Sequence, residues 1–507
     1  MTPREAELTT LLEQCQAALA QSLRENQLLR EKINLLVRRV FGSSSETLDP
    51  AQLQLLLSPS QASSPAAPAP EAAPVLTPAA RPRRKVRPPR LPETLPVVEE
   101  VIDPEPVKAE PQQWRCIGQE VSEQLDYEPG RFLRRRVVRR KYVHRSDLDQ
   151  APVIAPLPPS LQERCLATPR LMAHVAVTKY CDHVPLYRLE QIFARRHGIS
   201  LPRQTLDRWI ALMADWLKPI YEHIRTGVLA GGYVQLDETP INYLEPGAGR
   251  ALQGYLWTGS RPGGDVFYQW HTSRAAACLD TIVPVDFTGT LQCDGYAAYR
   301  AFANGRPKPL TLAACWAHVR RKFYEARETA PRTAGWVLRH IQHLYRIEAE
   351  LRQAQAGPQL RAAVRTSQSR PMVQRLKRAC QRLQAVRRFL PQSAMGTAIE
   401  YALAQMPGLE VYLHDGRIEI DNNLVENAIR PTAVGKKNWL FIGEAGAGER
   451  SAILYTIIES CRRRDVDPYA YLQDVLGRLP GMTNRQVPDV TPAAWAKAHT
   501  NLLRLAS

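Results

Sequence analysis

Three acidic side chains stand where they could bind metal ions. Asp237 in YVQLDETPI and Asp294 in LQCDGYAAY each end a short apolar run typical of a β-strand, and Glu426 in IDNNLVENAIRP lies just inside a predicted helix start. Mg²⁺ and Mn²⁺ prefer carboxylate oxygens, and a pair of such ions can activate the attacking oxygen and stabilise the leaving oxygen of a phosphoryl transfer. The three acids therefore predict a site that holds two Mg²⁺ or Mn²⁺ ions.

The chain is long and basic. Its 507 residues carry a formal net charge of +17, and 44% of them are hydrophobic. This length corresponds to roughly three or four domains. A strongly basic chain is expected to meet a polyanion, with DNA or RNA as the first candidate. A basic surface that binds nothing is the alternative from charge alone.

Nine cysteines are scattered along the sequence without a CxxC pair. This pattern predicts a reducing, cytoplasmic location and argues against a disulfide framework or a thiolate zinc site. The N-terminal MTPREAELTT has no charged-then-apolar targeting signal. No apolar run approaches the length of about 18 residues that predicts a membrane span. We therefore expect no membrane partner.

The first part of the chain is predicted to be a coiled coil followed by a linker. Residues 1–45 carry a heptad repeat whose core positions include Ile33, Val40 and a single Asn26, which favours a parallel two-stranded zipper. A single amphipathic helix packed on its own domain is the alternative. Residues 46–113 are Pro- and Ala-rich and predict a linker, in which the basic run RPRRKVRPPR could follow phosphates or only aid solubility.

Residues 114–150 are predicted to form a small β-rich module. Its run RFLRRRVVRRKYVHR holds many cations and no acid, so we expect a strand that presents a nucleic-acid-binding patch. A solvated strand face is the alternative. The residues predicted to contact DNA here are Arg134, Arg135, Arg136, Arg139, Arg140 and Lys141.

Residues 151–228 follow a helical pattern. The stretch LYRLEQIFARRHGISLPRQTLDRWIALM predicts a helix, a turn at His197 and Gly198, and a second helix after Pro202. This rhythm is that of a helix-turn-helix, the motif that places a recognition helix in the DNA major groove. A purely structural pair of helices is the alternative.

Residues 229–330 and 406–460 are predicted to form one α/β domain. Three β-type runs joined by turns, a helix, a strand, a helix and a further strand match the ribonuclease H-like plan. The first and fourth strands of that plan are neighbours, so Asp237 and Asp294 would reach one site. The predicted fold class is multidomain α+β.

Two helical regions flank and interrupt this domain. Residues 331–405 are basic and helical, and they are predicted to be an insertion within it. The short run KNWLFIG at 437–443 predicts one more strand. Residues 461–507 predict a C-terminal helical extension.

The third acid has rivals nearby. Glu419, Asp421 and Glu459 are also carboxylates, but Asp421 is predicted to be the N-cap of the helix that carries Glu426. Glu238, next to Asp237, is expected to face the other side of its strand because side chains alternate along a strand.

Basic residues accompany the acids. Arg430 lies one helical turn beyond Glu426 and could hold a phosphate or pair with that carboxylate. His318 begins the predicted helix CWAHVRRKF and could touch a phosphate, or be a half-buried histidine with a backbone partner. The residues of this region predicted to bind DNA are His318, Arg320, Arg321, Arg430, Lys436 and Lys437.

Several motifs together resemble the transposases of the insertion sequence 66 family, within the DDE superfamily. They include LDETPI, CDGYAAY, CWAHVRRKF, EIDNNLVENAIRP and KKNWLFIGEAGAGERSAILYTIIESC, and the resemblance extends to FGSSSETLDPAQLQLLL near the N-terminus. The resemblance places the catalytic triad on Asp237, Asp294 and Glu426. It also implies a ribonuclease H-like catalytic domain.

One departure from the family concerns zinc. Relatives usually carry a small zinc-binding module with two CxxC-like pairs before the helical region. Here Cys116 stands alone, and VHRSDLD around His144 replaces the second pair. Four tetrahedral ligands are therefore not at hand, so residues 114–150 are expected to be a degenerate zinc-finger-like DNA-binding module without zinc.

The resemblance implies a DNA transposase that binds the ends of its element, cuts them and joins them to target DNA. The zipper would pair protomers into a homodimer or higher oligomer, and small companion proteins of the element are possible partners. The expected location is the cytoplasm, at the bacterial nucleoid. A metal-dependent nuclease of the same fold and a DNA-binding regulator without strand transfer are the alternatives.

Overall fold

The structure is a computed structural model. It describes residues 16, 21–22, 25, 95–128, 130–145 and 151–505, with side chains through residue 499. Apart from the four scattered residues, the predicted coiled coil at 1–45 lies outside the described residues, as does the predicted linker before residue 95. The described part is a mixed α+β structure with two mixed sheets. None of its helices has the length and apolarity needed to cross a bilayer.

The first sheet is built on a long hairpin. Its strands follow the order β1-β3-β2, and β4 adds to β3. The elements are β1 Val97–Ile102, helix α1 Glu105–Ala109, a 3₁₀ turn Pro111–Gln113, β2 Trp114–Glu128, β3 Arg131–His144 and β4 Val153–Ile154. β2 is antiparallel to β3, with a register shift between Cys116 and Gly118.

The linker predicted to reach residue 113 ends earlier. Val97–Ile102 form a strand that pairs in parallel with β3, from Val97 beside Arg134 to Ile102 beside Arg139. Three of its six residues are valines, and β-branched residues suit a strand. The prediction was wrong for this segment because the partner strand lies more than 30 residues further along the chain. Local composition does not indicate pairing with so distant a segment.

Three helices connect the two sheets. They are α2 Pro169–Tyr180, α3 Leu186–His197 and α4 Arg203–Leu229. Thr168 begins α2 by accepting a hydrogen bond from the Leu171 amide. Gly198 ends α3 in the left-handed conformation (φ 66°), which glycine adopts without a Cβ penalty. The turn thus lies at the predicted His197–Gly198.

The second sheet carries the predicted acids. Its order is β7-β6-β5-β8-β9, with β10 added to β5. The strands are β5 Tyr233–Leu244, β6 Ala251–Ser260, β7 Val266–His271, β8 Thr290–Gln292, β9 Thr311–Ala313 and β10 Phe441–Ile442. β5, β6 and β7 pair antiparallel, while β8 and β9 run parallel to β5. Helices α5 Ala277–Ile282, α6 Ala297–Asn304 and α7 Trp316–Glu325 lie between or after the shorter strands.

A helical region follows α7 and has its own core. It comprises a 3₁₀ turn Ala326–Glu328, α8 Pro331–Gln353, α9 Pro358–Val364, a π-helical turn Arg365–Ser369, α10 Arg370–Ala385, α11 Ala394–Glu410 and a 3₁₀ turn Val411–Leu413. Val373, Leu376 and Cys380 of α10 are buried, as the helical spacing predicts, in a cluster that includes Trp316 of α7.

The chain ends in further helices. They are α12 Asn423–Trp439, α13 Ala445–Arg462, α14 Pro468–Arg478, two 3₁₀ segments at Leu479–Gly481 and Asn484–Val490, and α15 Pro492–Leu505. The strand predicted at 437–443 is mostly wrong, because α12 continues through Trp439 and only Phe441–Ile442 pair with β5. Helix α13 packs against β7 and α4, so it covers one side of the second sheet.

A buried polar network fixes where α12 begins. Gln235 of β5 and Gln292 of β8 are neighbours in register and are almost fully buried. The Gln235 amide donates to the Gln292 side-chain oxygen and to the backbone oxygen of Asp421, both at 2.9 Å. The Gln292 amide donates to the backbone oxygen of Glu419 at 2.9 Å. The segment before α12 is therefore hydrogen-bonded directly to the central strands.

We expect Gln292→Ala to lower the free energy of unfolding. It leaves the Glu419 carbonyl without its donor and removes one of the acceptors of the Gln235 amide in a dry interior, and a buried group left unsatisfied costs about 1–3 kcal/mol. Thermal unfolding followed by circular dichroism measures the change. Gln253→Ala, at an exposed position on β6, is the control and should shift stability by no more than about 0.5 kcal/mol. Equal midpoints for the two variants would contradict the assigned role of the network.

Candidate active site

Strand register brings two of the predicted acids to one edge of the second sheet. Gln235 pairs in parallel with Gln292. Asp237 and Asp294 each follow two residues later, so they sit at equivalent points along neighbouring chains. The Asp237 side chain accepts a hydrogen bond from the Glu238 amide at 2.9 Å, and Asp294 accepts one from the Tyr296 amide at 3.0 Å. Both carboxylates are thereby oriented by backbone donors.

The third predicted acid lies in the first turn of α12. Asn422 occupies the N-cap position, and Glu426 follows in the helix. The prediction that Asp421 is the N-cap is corrected by one residue. Even so, Asp421 accepts hydrogen bonds from the backbone amide of Asn423 at 3.1 Å and from its side chain at 2.8 Å. It therefore still satisfies a donor at the helix start.

Electrostatics place these acids within reach of one another. The pKa of Asp237 is raised to about 8, mainly by burial and also by the negative charges of Glu238, Asp294 and Glu426, against the opposing hydrogen bond from the Glu238 amide. Carboxylates that repel one another in a buried place are stabilised by a cation. Glu426 Oε1 is buried without a hydrogen-bond partner among the described residues. This donor set fits a hard divalent cation.

A histidine and a cysteine stand beside the third acid. His318 Nε2 lies 3.8 Å from Glu426 Oε1. Its Nδ1 is buried and has no partner among the described residues, so the expected backbone partner of a structural histidine is not seen at that atom. Donor atoms of Cys315, His318 and Glu426 all lie within 4.8 Å of one another. Burial raises the pKa of the Cys315 thiol to about 12, so this thiol is neutral.

Sequence reasoning missed Cys315 as a neighbour of the site. The available signal was the spacing in CWAH, which puts residues three apart on one face of a helix. Cys315 precedes α7 as its N-cap residue, and His318 lies in the first turn. The start of this helix therefore meets the start of α12 at Glu426.

Glu238 forms a second cluster on the same strand. Its side chain is almost fully buried. Arg274 makes an ion pair with it, and the Tyr299 hydroxyl donates to it at 2.7 Å. The Arg274 guanidinium also stacks on Tyr296, 3.8 Å from the ring centroid. Arg274 was not predicted, because nothing in its local sequence marks it as the partner of a residue 36 positions earlier.

The rival acids are engaged elsewhere. Glu419 pairs with Arg361 at 3.0 Å, and Glu459 pairs with Arg462 at 3.4 Å. Both carboxylates thus have cationic partners from the protein itself. Among the described candidates for a third ligand, Glu426 acts on Asp237 and has an oxygen, Oε1, that accepts no hydrogen bond.

The cations of strand β3 are partly compensated by its neighbours, since five of them share three glutamates. Five of its six predicted DNA-binding residues form ion pairs with glutamates of β1 and β2. The pairs are Arg134 and Arg136 with Glu123, Arg135 with Glu100, and Arg139 and Lys141 with Glu120. Arg140 instead hydrogen-bonds Tyr142. The geometry favours the alternative of a strand face whose charges stabilise the sheet.

The other predicted DNA-binding residues divide into two groups. Lys436 is half-buried, and its ammonium group donates to Thr239 Oγ1 and to the Pro240 carbonyl, each at 3.1 Å. It therefore ties α12 to β5 just beyond Asp237. The remaining cations are exposed on the surfaces of α7 and α12, and they are Arg320, Arg321, Arg430 and Lys437.

Comparison with protein families yields three matches. The model described as Transposase IS66 family matches residues 164–450, more than half of the chain. A model described as Transposase C of IS166 homeodomain matches residues 28–99. The model of the IS66 C-terminal element matches residues 456–492.

Two similar proteins come from Sinorhizobium fredii (strain NBRC 101917 / NGR234). The uncharacterized protein y4jD is 36% identical over 395 residues, which cover 75% of this chain and 76% of that protein. The uncharacterized protein y4qI is 36% identical over 397 residues, which cover 75% of this chain and 72% of that protein.

The raised pKa of Asp237 predicts a pH-dependent stability of the metal-free protein. Between its ordinary value of 3.8 and about 8, the folded state keeps a proton that the unfolded state releases, so stability falls as the pH rises through this window. Asp237→Asn removes the carboxyl group that titrates in this window. We expect its stability advantage over the unsubstituted protein to grow between about pH 5 and about pH 8 in a chelating buffer, as measured by thermal unfolding.

Asp286→Asn is the matched control, since Asp286 is exposed in a loop. Its difference from the unsubstituted protein should be the same at both pH values. An advantage of Asp237→Asn that does not change with pH would mean that Asp237 ionises normally in the folded state.

Proposed function

Because this chain belongs to the IS66 transposase family, we propose that it is a DNA transposase that binds the ends of its insertion sequence, cuts the DNA there and joins the cut ends to a target. Membership of the family implies DNA as the substrate and a nuclease or transposase type of activity. The observation that carries the proposal is the placement of Asp237 and Asp294 at equivalent points beyond paired strands, with the half-buried Glu426 close enough for its charge to act on Asp237.

We assign the second sheet to a ribonuclease H-like catalytic domain, formed by residues 229–330 and 406–460 with the helices of 331–405 as its insertion. The strand order β7-β6-β5-β8-β9 supports this assignment, as does the change from antiparallel to parallel pairing at β5. In this arrangement, acids from two neighbouring strands face an acid from a following helix.

Asp237, Asp294 and Glu426 are the proposed ligands of two divalent cations, Mg²⁺ or Mn²⁺. Transposases of this family generally use divalent metal ions, and three carboxylates are the donors that such ions prefer. Bound ions would neutralise the acidic cluster and activate the attacking oxygen. The backbone amides of Glu238 and Tyr296 hold the two aspartates in place beforehand. His318, beside Glu426, restricts the position of that side chain.

The proposed reaction consists of two in-line displacements. In the first, a water oxygen bonds to phosphorus at the element end, and the bond from phosphorus to the 3′ oxygen breaks to leave a 3′-OH. In the second, this 3′ oxygen bonds to a target phosphorus and displaces the target's 3′ oxygen. Each step exchanges one phosphorus–oxygen bond for another, so positioning and charge stabilisation are the main contributions of the protein.

DNA contacts near the reacting phosphate are assigned to the exposed cations of α7 and α12. Arg320 and Arg321 extend from the helix that holds His318, and Arg430 and Lys437 extend from the helix that holds Glu426. End binding is assigned to the region between residues 114 and 226. Residues 1–45 are proposed to pair protomers, so that two ends are held in one complex, with companion proteins of the element as further partners.

We expect Asp237→Asn to reduce both end cleavage and strand transfer by at least about 10³-fold while leaving end binding intact, because the substitution removes a proposed metal ligand without removing a DNA contact. Gel assays on DNA that borders the coding region measure cleavage, and a pre-cut end with a plasmid target measures transfer. Asp286→Asn, at an exposed carboxylate, should behave as the unsubstituted protein does.

The same assay separates the alternatives. Joined product supports a transposase, whereas cleavage without joining supports a nuclease of the same fold. Binding without either step supports a regulator. Cleavage that persists in the purified Asp237→Asn protein would overturn the assignment of the triad.

A further inference from the structure

A cavity lies along β5, beyond the acidic cluster formed by Asp237, Asp294 and Glu426. It has a volume of about 300 Å³. Its lining includes Ile241 of β5, which follows Asp237 by four residues, or about 13 Å along a strand. Lys436 holds α12 against β5 between these two points through Thr239 and Pro240. The cavity therefore opens near the line that a DNA strand would follow from the acidic cluster.

The walls of this cavity are aromatic. Tyr180, Trp439, Phe441 and Tyr455 all line it. Trp439 ends α12, and Phe441 is 43% exposed. Leu440 between them has φ 64°, which is unusual for a branched residue and is kept only where the surroundings impose it. This turn sets both aromatic residues on the cavity.

The polar groups of the cavity are balanced in charge. Arg450 pairs with Glu444 at 2.7 Å and lies 3.6 Å from Asp207. Lys179 forms no ion pair with any described carboxylate, and its pKa is lowered by burial to about 8. Two cations and two acids give no strong preference for an isolated phosphate. Donors and acceptors around an aromatic slot instead match the edge of a neutral nucleobase.

One polar atom of the cavity has no partner. Tyr455 is 3% exposed, and its hydroxyl makes no hydrogen bond to any described residue. A buried hydroxyl without a partner is costly. An occupant with hydrogen-bonding groups would satisfy it, which an aliphatic occupant would not.

We propose that this cavity takes a single nucleobase turned out of the DNA that is bound at the acidic cluster. The inference rests on the proposed function, since it needs DNA at that cluster. The base would stack between the aromatic side chains and meet Lys179, Asp207 and the Tyr455 hydroxyl with its edge. The spacing of about 13 Å places the base within about four nucleotides of the reacting phosphate.

The test is a mismatch scan on DNA that borders the coding region. A mismatch lowers the cost of unpairing a base, so binding should tighten at the position whose base is turned out. We expect about a tenfold gain in affinity at one position within about four nucleotides of the cut, and no gain elsewhere. Fluorescence anisotropy with the Asp237→Asn protein measures binding without cleavage.

Two substitutions connect this gain to the cavity. Ala447→Phe fills the cavity, and Trp439→Ala removes a stacking wall worth about tenfold in affinity. Both should abolish or greatly reduce the gain. Glu449→Phe introduces the same side chain at an exposed position of α13 outside the lining, and this variant should retain the gain in affinity. Thermal unfolding establishes whether each variant is folded. If Ala447→Phe does not fold, Trp439→Ala alone provides the test of the cavity.

The outcomes test the cavity assignment and the proposed function separately. A gain that survives in both folded cavity variants, or no gain at any position despite specific binding, would overturn the cavity assignment alone. The absence of any DNA binding would overturn the proposed function. Loss of the gain on adding free deoxynucleoside monophosphates would assign the cavity to a soluble nucleotide and overturn its assignment to bound DNA.

Discussion

Two glutamine side chains buried between neighbouring strands hold the candidate site in place. Gln235 donates to Gln292, and the two side chains also donate to the backbone oxygens of Asp421 and Glu419, respectively. A buried amide must find partners, and in a dry interior the geometry of those partners is strict. The network therefore sets the start of α12 relative to the strands. Glu426, which is distant from both strands in sequence, is placed near their ends for this reason.

The helices of residues 331–405 contact the same segment from its other side. Arg361 pairs with Glu419, and Arg365, itself fully buried, donates to the backbone oxygens of Tyr412 and Asp415. Glu348 neutralises Arg365 with two hydrogen bonds of 2.7 Å. Removal of one member of such a buried pair leaves an uncompensated charge, which strongly destabilises the folded protein. The helices of residues 331–405 thus help to hold in place the chain that leads into α12.

Charge is used in two different ways in this molecule. On the hairpin of β2 and β3, arginines meet glutamates across strands, and the charges are partly compensated within the sheet. At the candidate site, the half-buried Asp237 lies among other carboxylates and forms no ion pair with any described cation, and its pKa rises. Glu238 next to it is compensated by Arg274. The proposed metal ligand Asp237 thus differs from its neighbour Glu238, whose charge the protein itself compensates.

The sequence by itself determined the local features: apolar runs that end in Asp237 and Asp294, a helix that starts before Glu426, and helical periodicity between residues 331 and 405. These follow from neighbouring residues, because strand alternation and helix periodicity are short-range. Only the tertiary structure decided that Val97–Ile102 add to the first sheet, that the arginines of β3 meet glutamates, and that Arg274 neutralises Glu238. Each of these depends on pairing between segments far apart in the chain, and no local pattern specifies which partner a strand or a charge will find.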